Sequence, residues 1–477
     1  MKNTFKSILY ISVAMFTLSG CNKYLDVAPK SSIPEEEMFS SEIGFRQALT
    51  GVYSTLASRS LYGDNLTMGF VSALAQNYNT SGNGTVPLFV PTRNYDYSSD
   101  QVVTYTSQIW KAAYNGISGA NNIIKFAEIN RSVLSEQSYK QILGEAYALR
   151  GLFHFEVLRL FAPSYTVGSK SKAIPYKVDV DKYSVSPSTV EEVLDFVIRD
   201  LQSSEDLLKQ VDPILSNTMD RRYKMNYYAV KAIQARAYLY KNATTEAYKA
   251  AKEVIDSGRF PFVTKSAVAA AAGTKDRLFR QELIFAIRNR DLKTWAEDEY
   301  FTFRASIDYR LTRPDADLRS IYEYTTVGQD DIRYKNLFED NQGFKFPSKF
   351  WQTSTMTIDS LRLDQTVPVV RMSEMRYIIA ETAPSAQEAL DMLNTVRLGR
   401  TVIALPSNPA NLDRNFIQNE ITKEYQKEMY AEGQLFYYYK RLNKTSIPFT
   451  PSNLSFDTKF YVLPIPQDEL EFNPNYN

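Results

Sequence analysis

Histidine and cysteine each occur once in the chain, as His154 and Cys21. That scarcity limits the chemistry. A structural zinc site takes four Cys or His ligands, and a Ser-His-Asp triad needs a histidine beside its serine. His154 lies between Phe153 and Phe155 in an apolar stretch, which predicts a core imidazole rather than a ligand. Carboxylates are then the remaining groups for catalysis or metal binding. A carboxylate calcium site stays open, although no EF-hand spacing appears, and no metal ligands and no cofactor are named. Glu424, Glu428 and Glu432 recur every four residues, on one helix face among Ile417, Ile421 and Leu435. A glycosidase sets its two carboxyl groups on either side of a sugar bond, whereas acids along one helix lie side by side. Acids on an apolar face need cationic partners, for which Arg397, Arg400 and Arg441 are candidates. Structural ion pairs are therefore the reading. A surface glycan hydrolase using a carboxylate pair is the enzyme alternative.

Binding chemistry is better supplied. A sugar ring offers an apolar C–H face and a rim of hydroxyls. Tyr and Trp rings stack on the former, and Asn, Asp, Gln and Arg meet the latter. The chain holds 33 Tyr, 27 Phe and 3 Trp, too many rings to be core filler alone. Two segments interleave rings with such polar residues. The first contributes Tyr62, Asp64, Asn65, Tyr78, Asn79, Tyr95 and Tyr97, and the second Trp295, Asp298 and Tyr300. Taken singly, each ring also suits packing against the scaffold. Together the segments are expected to form the ligand site.

The N-terminus carries a different signal. Lys2 and Lys6 precede the apolar run "ILYISVAMFTL" (8–18), and Leu18-Ser19-Gly20-Cys21 follows. Basic, apolar and small residues in that order predict a secretory signal over 1–20. Its apolar run is too short to span a bilayer, which takes about 20 residues. Leu-Ser-Gly-Cys resembles a bacterial lipobox, which implies a diacylglycerol on the Cys21 thiol and an acylated Cys21 amine. Several acyl chains on one residue would anchor it stably, at about 0.8 kcal/mol per buried CH₂. A net charge of +1, with acids and bases dispersed, argues against nucleic acid as a partner. One cysteine excludes an intramolecular disulfide framework.

The elements that would position these residues are mainly helices. "SSIPEEE" reads as a helix start, with Ser31 or Ser32 as cap, and a helix over about 40–58 follows. The stretch 59–100 reads as a long connection rich in Asn, Gly, Ser, Thr and Tyr. Apolar spacing predicts helices over 102–129 and 136–161, the second with a small-residue edge of Gly144, Ala148 and Gly151. A further helix is predicted over 186–210, with Ser188 and Glu191 as a capping box. A helix pair follows over 225–242 and 245–258, ending at Gly258. "ELIFAI" (282–287) reads as a buried strand within a loop-rich stretch, 259–368. Helices resume at 371–381, 385–400 and 416–440, and the tail "FYVLPIPQDELEFNPNYN" reads as extended. Helical hairpins with small contact residues give a tetratricopeptide-like pattern without a strict 34-residue period. The fold class is thus mostly α, an irregular helical-pair scaffold with long aromatic-rich loops and a few short strands. After the signal, 21–477 is expected to be a single domain with a helical part (about 34–258), a loop-rich insert (about 259–368) and C-terminal helices with the tail (about 369–477).

Seven stretches, in this order, resemble the SusD/RagB family of outer-membrane nutrient-binding lipoproteins. They are "CNKYLDVAPK", "GEAYALRGLFHFEVLRLFAPSY", "YYAVKAIQARAYLY" with "AYKAAKEVIDSGRF", "RMSEMRYIIAETA", "ALDMLNTVRLGR", "ITKEYQKEMYAEGQLFYYYKR" and "LPIPQDELEFNPNYN". The late helix departs from the family pattern at Glu424-Tyr425 and from Gln434 onward. The resemblance implies a binding protein and not an enzyme, lipid-anchored at the cell surface of the outer membrane. Its implied partners are an oligosaccharide or peptide ligand and a SusC-like, TonB-dependent barrel that receives it. A tetratricopeptide-like scaffold that binds other proteins is the structural alternative.

Overall fold

The computed structural model describes residues 34–79, 88–216, 221–301, 311–341, 344–351 and 363–476. The signal segment and Cys21 lie outside the described residues.

Ten principal helices carry the fold: α1 (Glu42–Leu56), α2 (Asp100–Ile129), α3 (Glu136–Phe161), α4 (Val190–Val211), α5 (Tyr227–Tyr240), α6 (Thr244–Asp256), α7 (Met372–Thr382), α8 (Ala386–Gly399), α9 (Arg414–Glu428) and α10 (Gln434–Arg441). α3 is buried on almost every side from Gln141 onward, as its apolar residues require. It packs between α2 and α4, and its small residues permit the approach. A Cβ on Gly144 would stand 2.8 Å from the Leu208 side chain of α4, and one on Gly116 of α2 would stand 2.3 Å from the Phe153 ring of α3. Arg150 of α3 reaches both neighbours. It meets the two Asp200 oxygens of α4 at 2.6 and 2.7 Å and Asn121 of α2 at 3.0 Å. α5 pairs with α6, α6 packs on α7, and α7 pairs with α8, which gives the tetratricopeptide-like run of helix pairs.

The strands are short. β1 (Lys172–Pro175) pairs antiparallel with β2 (Pro187–Thr189). β3 (Leu283–Arg288), the expected buried strand, pairs antiparallel with β7 (Thr366–Arg371). β6 (Phe344–Pro347) lies between β4 (Arg313–Pro314) and β5 (Phe338–Asn341). One contiguous cluster of buried apolar residues runs from Phe39 to Leu463, and a small second one gathers Val263, Val268, Phe279, Ile332 and Leu337.

Several local expectations shift. The capping box of α4 is Thr189 with Glu192, one residue beyond Ser188 and Glu191, because β2 holds Pro187–Thr189 extended. The helix over 416–440 is two helices, with a break between α9 and α10. Ala431 (φ 61°) and Gly433 (φ 77°) turn the chain there. The turn brings Gly433 against backbone, since a Cβ on it would stand 2.0 Å from the Leu66 carbonyl oxygen. Asn77 holds the turn by accepting the Ala431 N–H at 3.0 Å. The connection 59–100 contains short helices at Phe70–Leu74 and Val90–Arg93, and the tail one at Gln467–Phe472. Gly258 ends the α5–α6 pair with φ 64°, as expected. Among the described residues, no helix is long and apolar enough to cross a membrane.

Candidate functional site

The carboxylates of α9 are spent inside the protein. Arg400 meets Glu428 at 2.6 Å and Glu282 at 2.6 Å. Arg371, at the end of β7, meets Glu428 at 2.6 Å and Glu432 at 2.8 Å. Arg333 bridges Asp331, Glu424 and Glu428, and Lys349 meets Glu432 at 2.6 Å. Burial pushes the Glu428 carboxyl up, but Arg400 and Arg371 outweigh it and hold it well below the usual carboxylate range. Burial acts likewise on Glu424, which Arg333, Lys427 and Arg397 pull down to about 2. Acids ionised in this way and enclosed by guanidinium groups are poor proton donors, the opposite of a glycosidase acid. Of the three candidate partners, Arg400 and Arg397 face α9, while Arg441 pairs with Glu381 at 2.6 Å. Among the described residues, no group of three or more His, Cys, Asp or Glu could hold a metal ion.

His154 is fully buried, its ring stacked on Tyr176 at 3.8 Å. Its Nδ1 lies 2.9 Å from the Arg150 carbonyl oxygen, and its Nε2 accepts the Lys177 backbone N–H at 3.1 Å. Both ring nitrogens are satisfied, so it is a structural histidine.

The two aromatic segments meet. Tyr300 donates to Asp64 at 2.8 Å, Arg59 donates to Asp64 at 3.0 Å and to the Tyr300 hydroxyl at 2.8 Å, and the Trp295 indole N–H donates to the Gly63 carbonyl at 3.0 Å. The Arg59 guanidinium lies 5.2 Å from the Trp295 ring centre and 5.6 Å from that of Tyr300. Burial raises the Asp64 carboxyl to about 6 against the pull of Arg59.

Most of the ten sequence-named ligand residues face inward, however. Tyr62, Asp64, Asn65, Tyr78, Tyr95, Trp295 and Tyr300 are buried. Tyr62 donates to Glu156 at 2.8 Å, Tyr78 to the Met68 carbonyl at 2.6 Å and Tyr95 to the Leu74 carbonyl at 3.0 Å. Asn65 donates to the Ser60 carbonyl at 3.4 Å, and the Tyr95 ring stacks on Phe460 at 4.9 Å. Tyr97 is half-buried with its hydroxyl on the Phe460 carbonyl, Asn79 is half-buried beside Arg93, and Asp298 is exposed. The physical reason is that a phenol ring fills apolar space while its hydroxyl caps a loop carbonyl. Long irregular connections leave many such carbonyls to satisfy.

Arg59 and Trp295 also line a cavity of about 1360 Å³. Its walls come from the α1 face (Arg46, Thr50, Tyr53, Ser54), the turn after it, the approach to α5 (Arg221, Tyr223, Lys224) and the end of β3 (Ile287 to Asp291). Sequence reading missed these residues. The available signal was two short basic runs, "RRYK" (221–224) and "RNR" (288–290), at the ends of ordered elements. A second concavity of about 590 Å³ lies on another face, between α2, the connection from β1 to β2, and the tail helix. It carries the exposed rings of Tyr183 (70% exposed) and Phe472 (76% exposed).

Comparison with known proteins agrees with the fold. A SusD-like family model described as "Starch-binding associating with outer membrane" matches residues 23–239. SusD-like protein P2 of Formosa agariphila is 22% identical, with 97% of each chain covered. Among solved structures, a SusD superfamily protein from Bacteroides thetaiotaomicron superposes with a TM-score of 0.72 at 22% identity, over 91% of this chain and 98% of that one. A SusD-like carbohydrate binding protein from Bacteroides vulgatus also gives 0.72, at 16% identity, over 91% of this chain and 97% of that one. The chain thus shares the fold of these SusD superfamily structures, and its residues 23–239 are similar to the SusD-like family model.

Proposed function

We propose that the protein is a cell-surface binder of a nutrient oligosaccharide, held to the outer membrane by acyl groups on Cys21. In this reading residues 21–477 act as one binding domain, and the bound glycan passes to a SusC-like, TonB-dependent barrel. The protein binds and does not hydrolyse. The observation that carries the reading is the cavity of about 1360 Å³ lined by Arg59, Tyr223 and Trp295. It exceeds the roughly 300–1,000 Å³ of small-molecule pockets, so an extended chain of sugars fits it better than one small ligand. The family description and the carbohydrate binding named for the Bacteroides vulgatus structure support the ligand class. The satisfied carboxylates of α9 support binding without turnover.

Glycan titration of two variants tests the location. Tyr223, half-buried in the cavity wall, makes a 2.7 Å hydrogen bond with the Thr366 hydroxyl. Tyr223→Ala is expected to weaken binding about tenfold, the loss of one stacked ring and its hydroxyl. The double variant Tyr183→Ala, Phe472→Ala is expected to leave affinity within about twofold. The reverse pattern would move the site to the second concavity.

A further inference from the structure

The cavity has one sign of charge on its walls. Among its described lining residues are six cations, Arg46, Arg59, Arg221, Lys224, Arg288 and Arg290, and one acid, Asp291. Three of these cations are backed by acids that do not line the cavity. Arg46 meets Glu42 at 2.8 Å, Arg59 meets Asp64 at 3.0 Å and Glu299 at 2.9 Å, and Arg221 meets Glu145 and Asp212. Two others make no ion pair among the described residues. Lys224, half-buried, has its ammonium 4.5 Å from the Tyr53 ring centre, and among the described residues no acceptor meets it. Arg290 is exposed and makes no hydrogen bond or ion pair among the described residues.

At the cavity wall and without an acceptor among the described residues, this ammonium is placed to meet a ligand that brings one. Burial pushes the Lys224 ammonium below its usual range, and Arg221 and Arg46 push the same way against the pull of Glu145. With six cations and one acid on its described walls, the cavity would attract an incoming anion. Uncharged groups for sugar hydroxyls stand beside these cations: Thr50, Ser54, Ser58 and Asn289. The Ser58 hydroxyl is buried and has no hydrogen-bond partner among the described residues.

We propose that the ligand of this cavity is an acidic oligosaccharide, a sugar chain bearing carboxylate or sulfate ester groups that dock on Lys224 and Arg290. This rests on the glycan-binding reading above and adds the charge class. Guanidinium groups suit both anions, because their paired N–H donors match two oxygens of one carboxylate or sulfate.

Calorimetric titration of the mature protein tests it with matched probes: oligogalacturonate and its methyl ester, a sulfated galactan oligosaccharide and its desulfated form, and sodium sulfate. At least one acidic oligosaccharide is expected to bind about tenfold or more tightly than its neutral counterpart. Lys224→Gln and Arg290→Gln should each erode that preference, and rising salt should weaken it. Arg290, being exposed and without a hydrogen bond or ion pair among the described residues, provides a variant expected to fold normally. Neutral and acidic forms bound equally, with both variants unchanged, would overturn the charge class and leave the glycan reading standing. No glycan bound at all would overturn both. Sodium sulfate bound as tightly as the sulfated chain would overturn the oligosaccharide proposal in favour of a simple anion site. Whether the uronate or the sulfated chain prevails identifies the anion.

Discussion

His154 should make folding stability fall with acid by a predictable amount. Burial, aided by the Arg150 guanidinium and opposed by the Arg150 carbonyl, pushes the imidazole down to about 3 from its ordinary 6.5. The groups around it agree. Nδ1 donates to the Arg150 carbonyl, so Nε2 must be the unprotonated nitrogen that accepts the Lys177 N–H. A proton at Nε2 would face that N–H donor. Asp200 is already held by Arg150 and by the Tyr176 hydroxyl at 2.6 Å. The folded-state value is depressed, so its contribution is complete above 6.5 and is lost as pH falls toward 3. Between pH 7.5 and pH 5.0 the unfolded chain takes up a proton that the folded one refuses, which removes about 2 kcal/mol. The perturbation is His154→Gln, which keeps polar atoms but does not titrate. Denaturant unfolding of both proteins at pH 7.5 and 5.0 reads the difference. The wild type should be the more stable at pH 7.5, and its advantage should shrink by about 2 kcal/mol at pH 5.0. Carboxylates common to both proteins cancel. An advantage unchanged with pH, or an imidazole resonance of the folded protein titrating near 6.5, would refute the reasoning.

Three further outcomes test other parts of the structure. Glu428→Ala should cost about 3–5 kcal/mol, read as a fall in the denaturation midpoint, because it leaves Arg371 and Arg400 buried beside a missing charge. Gly433→Ala should lower the melting temperature well beyond an ordinary surface change, since it needs φ 77° and sets a Cβ against the Leu66 carbonyl. Cys21→Ala, made in the full chain, should abolish labelling by a fatty-acid probe and release the protein from membranes, and retained labelling would contradict the anchor.

The helix pairs were legible because their signal is local. The apolar run of α3, its Gly144 edge and the Gly258 terminator each act within a few turns, and the structure places all three as read. The break between α9 and α10 was not legible. It is made by Asn77 and Leu66, more than 350 residues earlier, which no periodicity in 416–440 encodes. The ion network was half legible. The spacing of Glu424, Glu428 and Glu432 announced buried acids, but Arg333 comes from a short helix (Ile332–Asn336), Arg371 from a strand end and Lys349 from a turn. The candidate site divides in the same way. The ring-rich segments 62–97 and 295–324 were named from composition, and the structure brings Asp64 of the first to Tyr300 of the second, with Arg59, which was not named, beside both. Which rings face solvent did not follow, because a tyrosine that caps a carbonyl in the core reads the same as one that stacks on a sugar. Tyr62 and Tyr78 are of the first kind.

The central claim is that this protein holds a glycan and leaves it intact. The most direct measurement incubates the mature protein with a panel of oligosaccharides, determines which are retained by calorimetry, and analyses the same samples for cleavage products. Retention of at least one oligosaccharide, recovered at its original length, is the predicted result. Shortened products, or binding of peptides with no glycan retained, would contradict it.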